Sequence, residues 1–120
     1  MKKKKILLVL KDIHILRLYR EEFEDEGYNV SGAGSGHEAL EKTATEKFDL
    51  VILDAVLPDM ASFDLIREIK TASPETKIIA ASSYLLKDLD SRIESVIDAF
   101  DSKSSDLDEL KETINKLLKE

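Results

Sequence analysis

Short apolar runs alternate along the chain with longer segments in which apolar residues recur at helical spacing. The short runs are rich in branched residues and predict strands at 6–10, 28–31, 48–54, 77–81 and 99–102. The longer segments predict helices at 13–26, 36–46, 63–72, within 85–97, and from about 106 onward. A near-continuous apolar run such as Leu50–Leu53 is typical of a strand buried on both faces, so helices should cover both sides of the sheet.

This alternation restricts the architecture. Five strands that alternate with five helices pair in parallel through helical crossovers, and right-handed crossovers leave few topologies. We predict an α/β fold, a flavodoxin-like (βα)5 three-layer sandwich with a parallel sheet of order 2-1-3-4-5. The length of 120 residues fits one domain, 1–120. Ser35 and Glu38 have the spacing of a capping box, which predicts the start of the second helix between them.

Composition excludes several classes of protein. The chain has no cysteine, which rules out disulfides, thiol catalysis and thiolate metal sites. A net charge of −7 disfavours nucleic-acid binding, although the chain opens on the basic run 2–5. That run leads directly into a strand-length apolar segment, which is too short for a signal peptide or a membrane span. We therefore expect a cytoplasmic protein that binds neither membranes nor nucleic acids.

Asp54 is the strongest candidate for a functional residue. It closes the buried strand 48–54, and open α/β sheets place ligand sites at the carboxyl ends of their strands. The first strand ends at the same edge of the sheet with Leu10 and Lys11, which are not acidic. An acidic cluster would attract a divalent cation, whereas a single carboxylate beside a lysine supplies fewer ligands and already has a positive charge nearby.

Five pieces of sequence, in this order, resemble the receiver domain of two-component response regulators. They are Ile6–Val9, Asp54–Met60, Ser82, Lys103 and Asp106–Lys111. The resemblance covers essentially the whole chain. It implies that Asp54 is a phosphoacceptor served by a histidine kinase. It also implies that Ser82 and Lys103 bind phosphoryl oxygens, and that Phe100 reports the switch.

The resemblance further implies an acidic pair that binds Mg²⁺ with help from the carbonyl of Val56. Leu10 and Lys11 occupy the positions of that pair, so only Asp12, Asp54 and the Val56 carbonyl remain as ligands. Mg²⁺ prefers six oxygen ligands in near-octahedral geometry. We therefore expect no metal or other cofactor, and weak or absent phosphorylation of Asp54. By resemblance, a histidine kinase or a downstream protein would bind the face of helix four, strand five and helix five, and the chain would be a monomer or weak dimer.

Other departures from the family pattern fall near the same edge of the predicted sheet. They are Gly32-Ala33 after strand two, Ala61-Ser62, the polar Asp101 and Ser102 in strand five, and Ser104-Ser105 after Lys103. This clustering fits a natural pseudo-receiver or an engineered variant of a receiver scaffold. A working phosphoacceptor receiver is a further alternative.

Two enzymatic alternatives also follow from the residues. A designed serine hydrolase of esterase type could pair His14 or His37 with a serine and an orienting acid such as Asp101. The candidate serines are Ser83, Ser102, Ser104 and Ser105. No Gly-x-Ser-x-Gly nucleophile motif supports this, and each histidine also fits a solvated helix start. A reactive Lys11, desolvated by Leu10, would form Schiff bases, but Asp54 beside it would favour the charged ammonium.

Overall fold

The computed structural model describes residues 3–83, 86–103 and 106–119. Its five strands form one parallel sheet of order β2-β1-β3-β4-β5, which confirms the predicted fold. The strands are β1 (Lys5–Val9), β2 (Asn29–Ala33), β3 (Leu50–Asp54), β4 (Lys77–Ser82) and β5 (Ala99–Ser102). The helices are α1 (Ile13–Asp25), α2 (Gly36–Thr45), α3 (Ser62–Ala72), α4 (Ser91–Val96) and α5 (Leu107–Leu118).

The sheet separates two apolar layers. One layer lies under α1 and α5 and contains Leu16, Phe23, Leu110 and Ile114 together with alternate strand residues. The other lies under α2 and α3 and contains Ala39, Leu65, Ile66 and Ile69. The helical spacing of apolar residues in the sequence predicts the inward faces of α1, α3 and α5 but not that of α2, and every residue of the central strand β3 is buried. Because β3 is the middle strand, its carboxyl end lies at the centre of the end of the sheet where all the strands finish.

Several element boundaries differ from the sequence predictions by one or two residues; the strand predicted at 6–10, for example, is Lys5–Val9, so Leu10 follows it. Gly32 and Ala33 belong to β2, where we expected them to follow the strand. Ser82 is the last residue of β4, not the first residue after it. The region predicted as helix four contains a single turn of 3-10 helix, Leu86–Asp88, followed by the short helix α4. These differences arise because the ends of strands and short helices carry weak periodic signals.

Glycine and capping residues set the path of the chain around α1 and α2. Gly27 follows α1 with φ 97°, a left-handed conformation that glycine adopts without steric cost. The Ser35 hydroxyl accepts a hydrogen bond from the Glu38 amide at 3.2 Å, as the capping box predicts. The Glu38 carboxylate accepts instead from the Gly34 amide at 2.7 Å, one residue before the predicted donor. In the described ranges no helix has the length and apolar content needed to cross a membrane.

Candidate functional site

Asp54 lies at the carboxyl end of β3, in the middle of the sheet. Its Cα is in register with Ala81 of β4, which is in register with Asp101 of β5. Only 2% of Asp54 and 8% of Asp101 is exposed, so two carboxylates lie in one buried row. A buried carboxylate requires hydrogen bonds or a cation, because desolvation penalises its charge.

Two residues from neighbouring loops provide the contacts of Asp54. The backbone amide of Lys11 donates to Oδ2 at 2.8 Å. The ammonium of Lys103 forms an ion pair with Oδ1, which accepts no well-aligned hydrogen bond from the described residues. The Lys103 side chain is 26% exposed, so the cation keeps some contact with water while the carboxylate has almost none.

Lys11 makes a second contact at this site. Its ammonium donates to the carbonyl oxygen of Val56 at 3.3 Å. This is the carbonyl that the family resemblance assigns to a metal ion. Lys11 therefore contacts both Asp54, through its amide, and Val56, through its side chain, and brings a positive charge to this end of the sheet.

Two residues near Asp54 bear on whether a Mg²⁺ ion could bind there. Leu10 is buried and apolar, with 1% exposure, at a position that would have to supply an oxygen ligand. Asp12 caps α1, since its Oδ1 accepts from the amides of His14 at 2.9 Å and Ile15 at 3.3 Å. Over the described ranges no group of three or more His, Cys, Asp or Glu side chains could hold a metal ion.

The remaining residues assigned by resemblance lie around β4 and β5. Ser82 is buried, and its carbonyl accepts from the Lys103 amide at 2.9 Å, which fixes the start of the loop that carries Lys103. Phe100 is partly buried on β5, in register with Ala80. The structure thus brings Asp54, Ser82 and Lys103 to the carboxyl end of the sheet.

Tyr19 lies on the apolar face of α1 that helical spacing predicts, and no sequence motif indicates a functional role for it. Burial raises the pKa of its phenol, and the carboxylates of Asp101 and Asp54 raise it further. The phenol therefore stays neutral and responds to the charge of both acids. Its place on the inward face of α1 was readable from the sequence, but its proximity to Asp54 follows only from the packing of α1 on the sheet.

Asp59 was also missed, because its role depends on a contact between distant loops. Its carboxylate accepts from the amides of Gly36 and His37, both at 2.9 Å, and thereby caps the start of α2. The His37 imidazole contacts the same carboxylate. Hydrogen bonds from the backbone of His37 and then of Gly36 lower the pKa of Asp59 to about 2.

The histidines and serines considered for a serine hydrolase lie at several separate places in the structure. His37 is engaged with Asp59, and His14 is exposed at the start of α1. Ser83 is exposed, Ser102 is partly buried, and Asp101 lies in the buried row beside Ala81. Ser104 and Ser105 lie outside the described residues.

Comparison with known proteins places these features in a family. The chain is 30% identical over 120 residues to sporulation initiation phosphotransferase F of Bacillus subtilis, with 98% of this chain and 96% of that protein covered. It is equally identical, at 30%, to the transcriptional regulatory protein ZraR of Escherichia coli. That match covers 94% of this chain but only 26% of ZraR.

Solved structures agree with this similarity. The response regulator protein TrrA of Thermotoga maritima, crystallised in complex with Mg²⁺-BeF, is 37% identical with a TM-score of 0.86, covering 96% of this chain and 99% of that chain. A CheY-like receiver domain of Methanospirillum hungatei is 32% identical with a TM-score of 0.85, covering 97% and 94%. The family model for the response regulator receiver domain matches residues 6–115. The chain belongs to the response regulator receiver domain family.

Proposed function

We propose that this chain is a receiver-type signalling module in which Asp54 is phosphorylated weakly or not at all. The observation that carries the proposal is the placement of Lys11, whose amide bonds the Asp54 carboxylate and whose ammonium bonds the Val56 carbonyl. The site is built around two lysines and one buried carboxylate. The module would therefore signal through its binding surfaces, without a metal-dependent chemical step.

The electrostatics of phosphoryl transfer support this proposal. Attack by a carboxylate on a phosphoryl group gathers negative charge, which must be neutralised at the reacting atoms. Lys103 contacts one Asp54 oxygen and can supply part of this charge. The Lys11 ammonium is already bound to a carbonyl, and Leu10 offers no ligand in the place of an acid. Removing one such charged contact typically slows a reaction by roughly 10²–10³-fold.

Membership of the receiver family supports a proposal for the partner surface. Receiver domains interact with histidine kinases and downstream proteins, and we propose that α4, β5 and α5 form the corresponding face here. Phe100 lies on this face and is only partly buried, so a bound partner and the core can both contact it. Lys103 follows β5 directly and connects the face to Asp54 through its ion pair. A change in the charge of Asp54 would therefore reach the end of β5 in one step.

The decisive test is intact-mass analysis after incubation with acetyl phosphate, with and without Mg²⁺. We expect no adduct, or one that forms roughly 10²-fold more slowly than in the variant Leu10→Asp/Lys11→Asp. A matched control, Leu10→Asn/Lys11→Asn, adds polar side chains of similar size but no negative charge. Mg²⁺-dependent labelling should appear in the Asp variant and not in the Asn variant.

Two outcomes would contradict the proposal. One is rapid, Mg²⁺-dependent labelling of the unmodified chain that disappears in Asp54→Asn, which would establish a working phosphoacceptor. The other is equal labelling of the chain and of Leu10→Asp/Lys11→Asp, which would show that these two positions do not limit the reaction. Circular dichroism of each variant verifies that a negative result does not come from unfolding.

A further inference from the structure

We propose that a groove between α1 and α2 is a binding site for a small organic carboxylate with an apolar, aromatic body. The groove has a volume of about 460 Å³ and lies beside β2, at the same end of the sheet as Asp54. This volume lies within the range of roughly 300–1,000 Å³ that small-molecule sites occupy. The proposal holds whether or not Asp54 accepts a phosphoryl group.

The groove is lined by two of the departures from the family pattern that the receiver function leaves unexplained. Leu10 and Lys11 form one end, and Gly32 and Ala33 form part of the floor. Leu10 supplies an apolar side chain and Lys11 a cation, whereas Gly32 and Ala33 have no side chain larger than a methyl group. These positions, far apart in sequence, meet because the Leu10 amide donates to the Ala33 carbonyl at 3.0 Å.

Small residues on β2 set the shape of the floor. A Cβ atom at Gly32 would lie 2.8 Å from Cδ2 of Leu16, so glycine at this position allows α1 to pack closely over the strand. Leu16 thereby closes the inner side of the groove with an apolar surface. Ile13, which is 52% exposed, adds a second apolar side chain at the rim. Leu16 is already buried, so a flat apolar ligand body would mainly bury the part of Ile13 that now faces water.

The charges around the groove select an anion. Three cations border it, namely Lys11, Arg20 of α1 and Lys42 of α2, in a chain whose net charge is −7. The Lys11 ammonium already contacts the Val56 carbonyl, so Arg20 and Lys42 are the cations that would bind a ligand. The one acidic residue that lines it, Glu38, already accepts a hydrogen bond from the Gly34 amide. Arg20 has a single long contact with Glu24, 3.5 Å from Nε, which a ligand carboxylate can replace with a two-pronged hydrogen bond.

A second cavity provides an internal comparison. It has a volume of about 250 Å³ and lies at the opposite end of the sheet, where Phe48 and Ile69 supply apolar walls. Its lining contains one cation and one acid, Lys47 and Glu46, whose charges offset each other. It therefore has apolar surface without a preference for anions. A ligand that binds through apolar contacts alone would not distinguish the two sites by charge.

The test uses 2-naphthoate as the probe and neutral 2-naphthamide as its matched analogue. Two-dimensional ¹H–¹⁵N NMR of the full chain should show saturable shifts of the Ser31, Gly32 and Gly34 amides with 2-naphthoate. We expect 2-naphthamide to bind about tenfold more weakly, because charge-assisted hydrogen bonds are roughly twice as strong as neutral ones. Arg20→Gln/Lys42→Gln should weaken binding of 2-naphthoate by at least about tenfold.

Two further variants sharpen the result. Gly34→Leu should abolish binding by filling the groove, since a Cβ there would meet Glu38 Oε1 at 3.7 Å, an ordinary contact. Arg17→Gln, an exposed position of α1 that does not line the groove, should leave binding unchanged. Dispersed spectra of each variant establish that it is folded.

Three results would overturn the proposal. The first is the absence of saturable shifts at millimolar 2-naphthoate. The second is equal affinity for the acid and the amide, which would mean that the cations make no contribution. The third is a set of shifts centred on the cavity around Phe48 and Ile69.

Discussion

Removing the Lys103 ammonium should destabilise this protein more than neutralising the carboxylate that it contacts. Lys103→Met keeps the length and apolar stem of the side chain but leaves Asp54 charged, with 2% exposure. Loss of one partner of a buried ion pair destabilises a protein by roughly 3–5 kcal/mol. The Lys11 amide still donates to Oδ2, and Lys103 is itself 26% exposed, so we expect a smaller loss of about 2 kcal/mol.

The reverse change should be milder. Asp54→Asn retains an acceptor for the Lys11 amide and leaves the Lys103 ammonium able to turn into water, so we expect a loss of about 1 kcal/mol or less. In the double variant the buried uncompensated charge is gone, and its destabilisation should fall below that of Lys103→Met alone. This non-additivity is the signature of a direct contact between the two groups.

Urea unfolding of the four proteins at neutral pH measures these differences. Lys103→Met should lower the midpoint without changing the slope, and should lower the melting temperature by roughly 8 °C. Lys116→Met is a suitable control, because that lysine is 76% exposed and makes only a 3.9 Å contact with Glu112. If Lys103→Met destabilises the chain no more than Asp54→Asn does, then the ion pair does not hold the buried carboxylate and the reasoning fails.

The other predictions concern the surroundings of the site. The pKa of the Asp59 carboxylate is lowered to about 2, so the stability that this group contributes should be present above pH 4 and lost as pH falls towards 2. In the variant Asp59→Asn, the free energy of unfolding should depend less on pH over this range. The Tyr19 phenol should titrate above its ordinary pKa, and Asp54→Asn should lower its pKa without restoring the ordinary value, as followed by NMR of labelled tyrosine. Gly32→Ala should lower the free energy of unfolding by about 1–3 kcal/mol in chemical denaturation, because the new methyl group would clash with Leu16. Combining it with Leu16→Val should recover part of this loss; purely additive losses would argue against a close contact between Gly32 and Leu16.

The periodic signals in the sequence were sufficient to predict the architecture. The inward faces of α1, α3 and α5 and the buried run of β3 appear in the structure as predicted. Because the strands are parallel, their carboxyl ends meet at one edge, and this alone brings Asp54 near Lys103. The sheet topology therefore places Asp54 and Lys103 in the same neighbourhood.

The contacts within the site depend on loop paths that periodicity does not encode. Nothing in the sequence indicates that Lys11 would bond Asp54 through its amide and Val56 through its ammonium. The cap that Asp59 forms on α2 joins residues 22 positions apart and requires both loops to be in place. The 3-10 turn before α4 likewise replaces part of an expected helix, and α4 begins only after Asp90, whose side chain accepts a hydrogen bond from the Arg92 amide.

The two outer strands of the sheet bear on how copies of this chain can associate. β2 and β5 each have one side without a neighbouring strand, and such edges can recruit another chain through backbone hydrogen bonds. Both edges are short, at five and four residues. Gly32 lowers the strand propensity of β2, and Asp101 places an inward charged group in β5, two features that discourage strand-to-strand growth. Self-association of this chain should therefore proceed through helix faces, and the sheet should resist extension into aggregates.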